Sequence, residues 1–228
     1  MAVIKAWSFS ALRSYEECAY RFRLKSEGAP RPPYEENAGT VIHNEAEAFV
    51  KGEGPLTPAL KRFEEEFQLE QELYAKGELS VEDEWGFDAE WRIASWNDAW
   101  LRMKLDQFHH VPGEDHALIV DHKSGKSWGK ELEHAQQGQI YTIAAFMRYP
   151  ELQTVTAAFR YLKEGKQPSK TYFRDAKFDR LFERWTARAE RMLTDDELLP
   201  KPNKSHCRFC DYGPNEGGSN ACDWGVPT

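Results

Sequence analysis

The stretch "ALIVDHKSGK" ends an apolar run on Asp121-His122-Lys123, a carboxylate and an ammonium two residues apart. If the run is a strand, Asp121 and Lys123 share a face and the His122 ring points the other way. That pairing suits hydrolysis of a phosphodiester. A carboxylate can hold a divalent cation at a phosphate oxygen, and a nearby ammonium can orient a water or stabilise developing negative charge. The triplet alone carries little weight, because at roughly 6% usage of each residue a chain of this length holds about one Asp-x-Lys by chance. Asp175-Ala176-Lys177 and Glu164-Gly165-Lys166 are two further examples. Context separates them: Glu164 sits in a glycine turn, and Asp175 marks a strand-to-helix junction. Asp121 instead follows an alternating segment, "AWLRMKLDQFHH", that carries a second carboxylate, Asp106.

Three further sets of residues have chemical spacing. His43 and Glu47 stand four apart in "GTVIHNEAEAFV", one helical turn from each other on one face; taken alone, such a histidine is more often a surface or core residue than a ligand. Gln137 and Tyr141 repeat the spacing after the triplet, read either as a polar residue with a half-buried aromatic or as contacts to a phosphate or base. The four cysteines are Cys18, then Cys207 and Cys210 as a tight pair, then Cys222 after an eleven-residue gap. In a reducing compartment disulfides are the least expected use. A zinc site usually shows two close doublets, whereas here one member stands far upstream.

These residues need elements to hold them. "SFSALRSYEECAYRFRLK" reads as a helix capped by Ser8 or Ser10, and the turn-like "EGAPRPPYEENAG" precedes a second helix from Thr40 to Val50. A third, highly charged helix is expected over Ala59 to Lys76, and strands within "ELSVEDEWGFDAEWRIASW". Leu101, Met103 and Leu105 alternate with Arg102, Lys104 and Asp106. "VPGED" supplies a turn, so "ALIVDHK" returns as a neighbouring strand that brings Asp106 and Asp121 towards each other. A helix from Glu131 to Arg148, strands in "TVTAAFRYLK" and "KTYFRDAKF", and an amphipathic helix over Asp179 to Leu193 complete the pattern. The last residues, 200–228, are rich in Pro and Gly, and no internal repeat is present.

The 228 residues suffice for one buried core with a small appendage, and 40% hydrophobic with 30% charged residues fits a globular chain. No window approaches a membrane span, and "MAVIKAWSFS" lacks the apolar core of a signal peptide, so the cytoplasm is the expected compartment. The net charge of −8 argues against a nonspecific nucleic-acid binder, although phosphate affinity depends on a local basic track. From Arg160 to Arg191 there are ten Lys and Arg against five Asp and Glu; a solvated helix face is the commoner explanation of such a cluster.

The order Gly39-x-x-x-His43, Asp106, Asp121-x-Lys123, Gln137-x-x-x-Tyr141, after an opening "SFSALRSYEEC", resembles the RecB-like branch of the PD-(D/E)XK nucleases. The resemblance spans Ser8 to Cys222. It implies an α/β fold with a restriction-endonuclease-like core, a central mixed sheet flanked by helices, in a single domain over residues 1–228. His43, Asp106 and Asp121 would bind magnesium or manganese with the His122 backbone carbonyl. Lys123 would assist the attacking water, Glu47 would support the metal, and Gln137 and Tyr141 would position the DNA. One early and three late cysteines resemble the iron–sulfur clasp of AddB and of CRISPR-associated RecB-like exonucleases. Cys18, Cys207, Cys210 and Cys222 would then hold a [4Fe–4S] cluster, with Zn2+ as the alternative, and close the 200–228 tail onto the first helix. Ala19 departs from the proline usual after the first cysteine, and the gap before Cys222 is long. Tyr15 and Arg21 would gather near the clasp, Tyr15 to stack on a single strand or simply to pack. The function implied is a metal-dependent DNA exonuclease acting on single strands or ends, phage-encoded or bacterial, with recombination or CRISPR-adaptation proteins as possible partners. The alternatives are an idle nucleic-acid-binding module and an RNA-directed nuclease of the same fold.

Overall fold

Leu101–His109 and His116–Lys123 do form adjacent antiparallel strands, joined through a turn in which Gly113 takes φ +89°. The computed structural model describes residues 4–33 and 38–227; residues 34–37 of the expected turn after the first helix lie outside that set. Six strands make one sheet: β1 (Leu79–Phe87), β2 (Ile93–Ala94), β3 (Leu101–His109), β4 (His116–Lys123), β5 (Thr154–Tyr161) and β6 (Ser169–Phe173). Their order is β2-β1-β3-β4-β5-β6, parallel at β4–β5 and antiparallel elsewhere. A parallel neighbour requires a crossover, and helix α5 (Glu131–Arg148) supplies it. The expected mixed α/β architecture is therefore present.

Two compact units divide the chain: one contains the sheet and ends at Arg184, the other combines the N-terminal residues with those from Trp185 onward. In the sheet unit, α3 (Ala38–Val50) and α4 (Glu64–Lys76) pack Ile42, Val50 and Phe67 against Leu79, Val81 and Leu162. The charged helix begins later than the expected Ala59, because residues 61–63 form a separate 3-10 turn. Glu64, Glu65 and Glu66 then complement the α4 dipole, and Gly77 at φ +75° caps its C-terminus. The Phe67 ring lies 5.4 Å from the His122 ring, whereas Tyr141 of α5 bonds Asp121. Consecutive strand residues face opposite ways, so α4 and α5 cover opposite faces of the sheet.

Helix α5 is buried almost all round from Gly138 to Phe146, as a central crossover must be. Its close approach depends on Gly138, where a Cβ would stand 3.2 Å from Ala157 Cβ and 3.4 Å from Phe159 Cε2. On the other face, Arg160 of β5 donates to both carboxylate oxygens of Glu70 on α4, at 3.0 and 2.6 Å, and Gln107 of β3 donates to the same carboxylate at 2.8 Å. Both ions are almost fully buried.

Strand β1 breaks its own alternation. Glu82 sits at φ +52°, in the left-handed region, and the register passes from Val81–Gln107 to Asp83–Leu105 without pairing Glu82 to the Asp106 opposite. Ser80 Oγ therefore reaches Asp83 Oδ2 at 3.2 Å, and Trp85 Nε1 donates to the same oxygen at 2.8 Å. In a regular strand, residues 80 and 83 would face opposite sides.

In the other unit, the single N-terminal helix expected from sequence is two. Helix α1 (Phe9–Glu17) is capped by the Ser8 side chain accepting from Ala11 N–H, and α2 spans Tyr20–Ser26. Between them Cys18 is extended, at φ −163° and ψ 103°, which turns it out of the helical path. Helix α6 (Ala176–Thr194) contributes to both units, and the short α7 (Lys204–Cys207) begins the cysteine-rich tail. The tail is tied to the N-terminal helices: Tyr15 donates to Asp195 at 2.8 Å, and Arg31 pairs with Asp211.

Candidate metal centre and cysteine pocket

The site begins where two strands part. The β3–β4 ladder ends at Gln107–Val120, and the next residues on the two strands are Asp106 and Asp121. Strand β4 stays paired to β5 through Lys123, so β3 is the strand that diverges. The His122 backbone N–H, with no β3 partner in that ladder, donates to Asp106 Oδ2 at 2.6 Å. The fork thus gathers two carboxylates without needing a loop to carry them.

Asp121 is 4% exposed. Its Oδ1 accepts from Tyr141 OH at 2.9 Å and Gln137 Nε2 at 3.1 Å, and Lys123 Nζ lies 2.5 Å from its Oδ2. Gln137 Oε1 in turn accepts from Lys123 Nζ at 3.0 Å. The four groups form one closed network, which fixes the Lys123 ammonium beside the carboxylate. Burial, with the charge of Asp121 next, pushes the Tyr141 phenol well above its ordinary 10.0, so it donates as a neutral hydroxyl. The expected face relation holds. The His122 ring lies on the opposite side, where burial and then the Arg160 charge hold it neutral, well below the usual histidine range.

His43, Glu82 and Asp106 bring one ligand atom each to within 4.8 Å of one another. His43 Nδ1 is 3.3 Å from Asp106 Oδ2. Burial pushes the Asp106 carboxyl from 3.8 up to about 6, and the Asp121 charge adds to it; the His43 and His122 contacts pull the other way. For His43, burial favours the neutral ring, but its hydrogen bond to Asp106 and the charges of Asp106, Asp121 and Glu82 outweigh it and raise the pKa. Carboxylates crowded beside one imidazole are a donor set for a hard or borderline divalent cation such as Mg2+ or Mn2+.

Glu82 is the residue that sequence reasoning missed. The acidic run Glu82-Asp83-Glu84 offers three carboxylates, and alternation alone gives no reason to choose among them. The left-handed φ at Glu82 decides the matter, and no local signal predicts it. Its carboxylate is held by Lys104 at 2.6 Å. Glu47, the expected supporting residue, pairs with Lys51 at 2.6 Å.

The cysteines belong to the other unit. Cys18, Cys207, Cys210 and Cys222 line one pocket together with Arg21 and His206. Cys18 Sγ accepts from the Lys201 backbone N–H at 3.4 Å. Burial raises the Cys222 thiol, and the other three cysteines add to the effect. Tight backbone turns hold the set: a Cβ at Gly213 would stand 2.7 Å from the Cys207 carbonyl oxygen. Tyr15 is 7% exposed, with its hydroxyl turned to Asp195, and Arg21 pairs with Glu17 at 3.6 Å on the pocket wall.

Two kinds of likeness to known proteins are found, one to a family and one to solved structures. A family model described as the PD-(D/E)XK nuclease superfamily matches residues 6–116 and 111–214. No curated protein matches the chain. Among solved structures, a putative exonuclease from Eubacterium rectale is 13% identical at a TM-score of 0.50, over 91% of this chain and 86% of its own. The protein SSO0001 is 12% identical at 0.46, over 98% and 89%. An alkaline exonuclease from Laribacter hongkongensis, LHK-Exo, is 12% identical at 0.34, over 83% and 86%. At such identity the first likeness speaks for the fold alone, and the lower scores of the other two carry no argument.

Proposed function

The chain belongs to the PD-(D/E)XK nuclease superfamily, and from that premise we propose that it is a divalent-metal-dependent DNA exonuclease of the RecB-like branch, acting on single strands or ends. The observation that carries this reading is the fork of β3 and β4, where Asp106 and Asp121 converge beside His43 and Lys123. His43, Asp106, Asp121 and Glu82, with the His122 carbonyl, are the residues assigned to hold Mg2+ or Mn2+. When bound, the cation polarises a phosphate oxygen and makes a bound water more acidic at neutral pH. The chain's own groups do the rest. Lys123 orients the attacking water and stabilises charge that develops on the phosphate. Gln137 holds the Lys123 ammonium by its Oε1, and Tyr141 with Gln137 fixes the Asp121 carboxylate, so both arrive without reorganisation. The scissile bond is the P–O bond opposite the attacking water; the water gives up its proton to solvent as its oxygen bonds phosphorus, and the departing sugar oxygen takes a proton from solvent.

The test is digestion of 5′- and 3′-labelled single and double DNA strands, and of RNA, with Mn2+ and with chelator. Cleavage of DNA that stops with chelator and removes nucleotides from an end is expected. Intact DNA with well-folded, Mn2+-loaded protein would leave an idle binding module, and cleavage of RNA alone would redirect the substrate. The setting proposed is recombination, repair or phage DNA processing.

For the four cysteines we propose a structural [4Fe–4S] cluster. Their common pocket and their order, one early and three late in the chain, support this reading. Protein purified without oxygen is expected to absorb broadly near about 400 nm. A colourless protein that binds stoichiometric zinc overturns the assignment.

A further inference from the structure

Of the basic cluster between Arg160 and Arg191, Arg160 is buried against Glu70 and Arg188 pairs with Glu16; several of the others stand along two grooves rather than only on the solvated face of α6. Two grooves run along α5, between it and the edge strand β6, and they share Lys170 and Tyr172 in their linings. The first is floored by His134, Phe159, Tyr161 and Tyr172. The second continues past Phe173 to the first half of α6, with Lys177, Arg180 and Arg184 on its wall.

The first groove opens beside the metal centre. Phe159 pairs with Asp121 in the β4–β5 register, and Lys123 Nζ stands 5.6 Å from its ring centroid. His134 stacks on the same ring at 5.1 Å and 18° and hydrogen-bonds Tyr161 OH, which fixes the aromatic floor. Lys170 lies 5.2 Å above the Tyr172 ring. Lys166, Lys170, Lys177 and Arg180 are all exposed along the two grooves. The carboxylates in the linings are Glu131 and Asp175, and Asp175 is occupied in capping α6 through the N–H groups of Lys177 and Phe178.

We propose that this α5–β6 groove carries a single DNA strand to or from the fork. The inference rests on the nuclease reading above and names the path of its substrate. The charge suits a phosphate backbone on a chain that is acidic overall, and the aromatic floor suits unstacked bases. A duplex keeps its bases stacked inside and offers nothing to that floor, so a single strand is the occupant.

The test uses the whole protein: binding is measured in chelator and cleavage in Mn2+, with fluorescent oligo(dT) of about 20 nucleotides, longer than the roughly 4–16 nucleotides that such grooves cover. The variant is K166A/K170A/K177A/R180A, and the charge-matched control is K5A/K61A/K76A/R92A. The groove variant is expected to weaken binding on the order of tenfold or more. Its salt slope should fall by about 2.8, the loss of four phosphate contacts on a single strand. Cleavage at saturating DNA should remain, since uniform binding affects KM rather than kcat, and the control should match wild type. If wild type binds and cleaves but the two variants show the same affinity and slope, the groove assignment is overturned while the nuclease reading stands. If wild type neither binds nor cleaves, the nuclease reading falls and the groove with it. A groove variant that loses duplex binding alone overturns the single-strand assignment.

Discussion

Asp106 has the chemistry of a ligand awaiting a cation. Burial first, and the nearby Asp121 second, push its carboxyl from 3.8 to about 6, while Asp106 and its neighbours raise His43. An unfolded aspartate loses its proton near about 3.9. Between there and about 6 the folded state binds more protons, so stability falls as pH rises through that window. A divalent cation must displace the Asp106 proton and needs a neutral His43, so it competes poorly at pH 5. The rise in Tm on adding Mn2+ is therefore expected to be several-fold larger at pH 7.5 than at pH 5; a shift independent of pH would remove Asp106 and His43 from the ligand set. Glu82 invites a paired test. Its left-handed φ strains a non-glycine residue by on the order of 1–3 kcal/mol, a strain glycine lacks. Glu82→Gly is expected to keep or raise stability in chelator while weakening Mn2+ affinity, read by calorimetric titration, about tenfold. Unchanged affinity would make Glu82 merely the partner of Lys104.

At the scale of elements, the ion pair between Glu70 and Arg160 clamps α4 to the sheet on the face away from the fork. Its near-complete burial makes a single truncation severe, since Arg160 would be left charged and unpaired. Glu70→Ala is expected to destabilise by about 3–5 kcal/mol in denaturant titration. Replacing both residues by apolar ones of similar volume should cost far less; equal losses would mean that packing rather than charge holds the pair. Elements of this kind were only partly legible in the sequence. Period-two alternation gave β3, and the apolar run with its turn gave β4, because burial on one or both faces writes itself directly into residue type. Helix α5 was found from Glu131 to Arg148 for the same reason. The break at Cys18 was not, since "YEECAYRF" has neither Pro nor Gly and the extended cysteine is set by tertiary context. The Glu70–Arg160 pair joins residues ninety positions apart on different elements, and no spacing rule reaches that far.

For the whole molecule, the candidate site was more legible than the packing around it. The order of His43, Asp106, Asp121, Lys123, Gln137 and Tyr141 pointed to one place, and six residues on four elements do meet at the fork. What the order could not say is how they are joined. Gln137 and Tyr141, expected to position the DNA, also hydrogen-bond Asp121 and Lys123, a link that spacing alone does not give. Glu82 stayed hidden because its role depends on one backbone angle, and Glu47 pairs with Lys51. The central claim is that this fork cleaves DNA, with Lys123 needed for the chemical step rather than for binding. The most direct measurement is single-turnover cleavage of end-labelled single-stranded DNA in Mn2+ by wild type and Lys123→Ala, with binding measured in parallel. The account predicts that the variant binds within a few-fold of wild type and cleaves about 100- to 1000-fold more slowly. A variant that binds and cleaves as wild type does would contradict it.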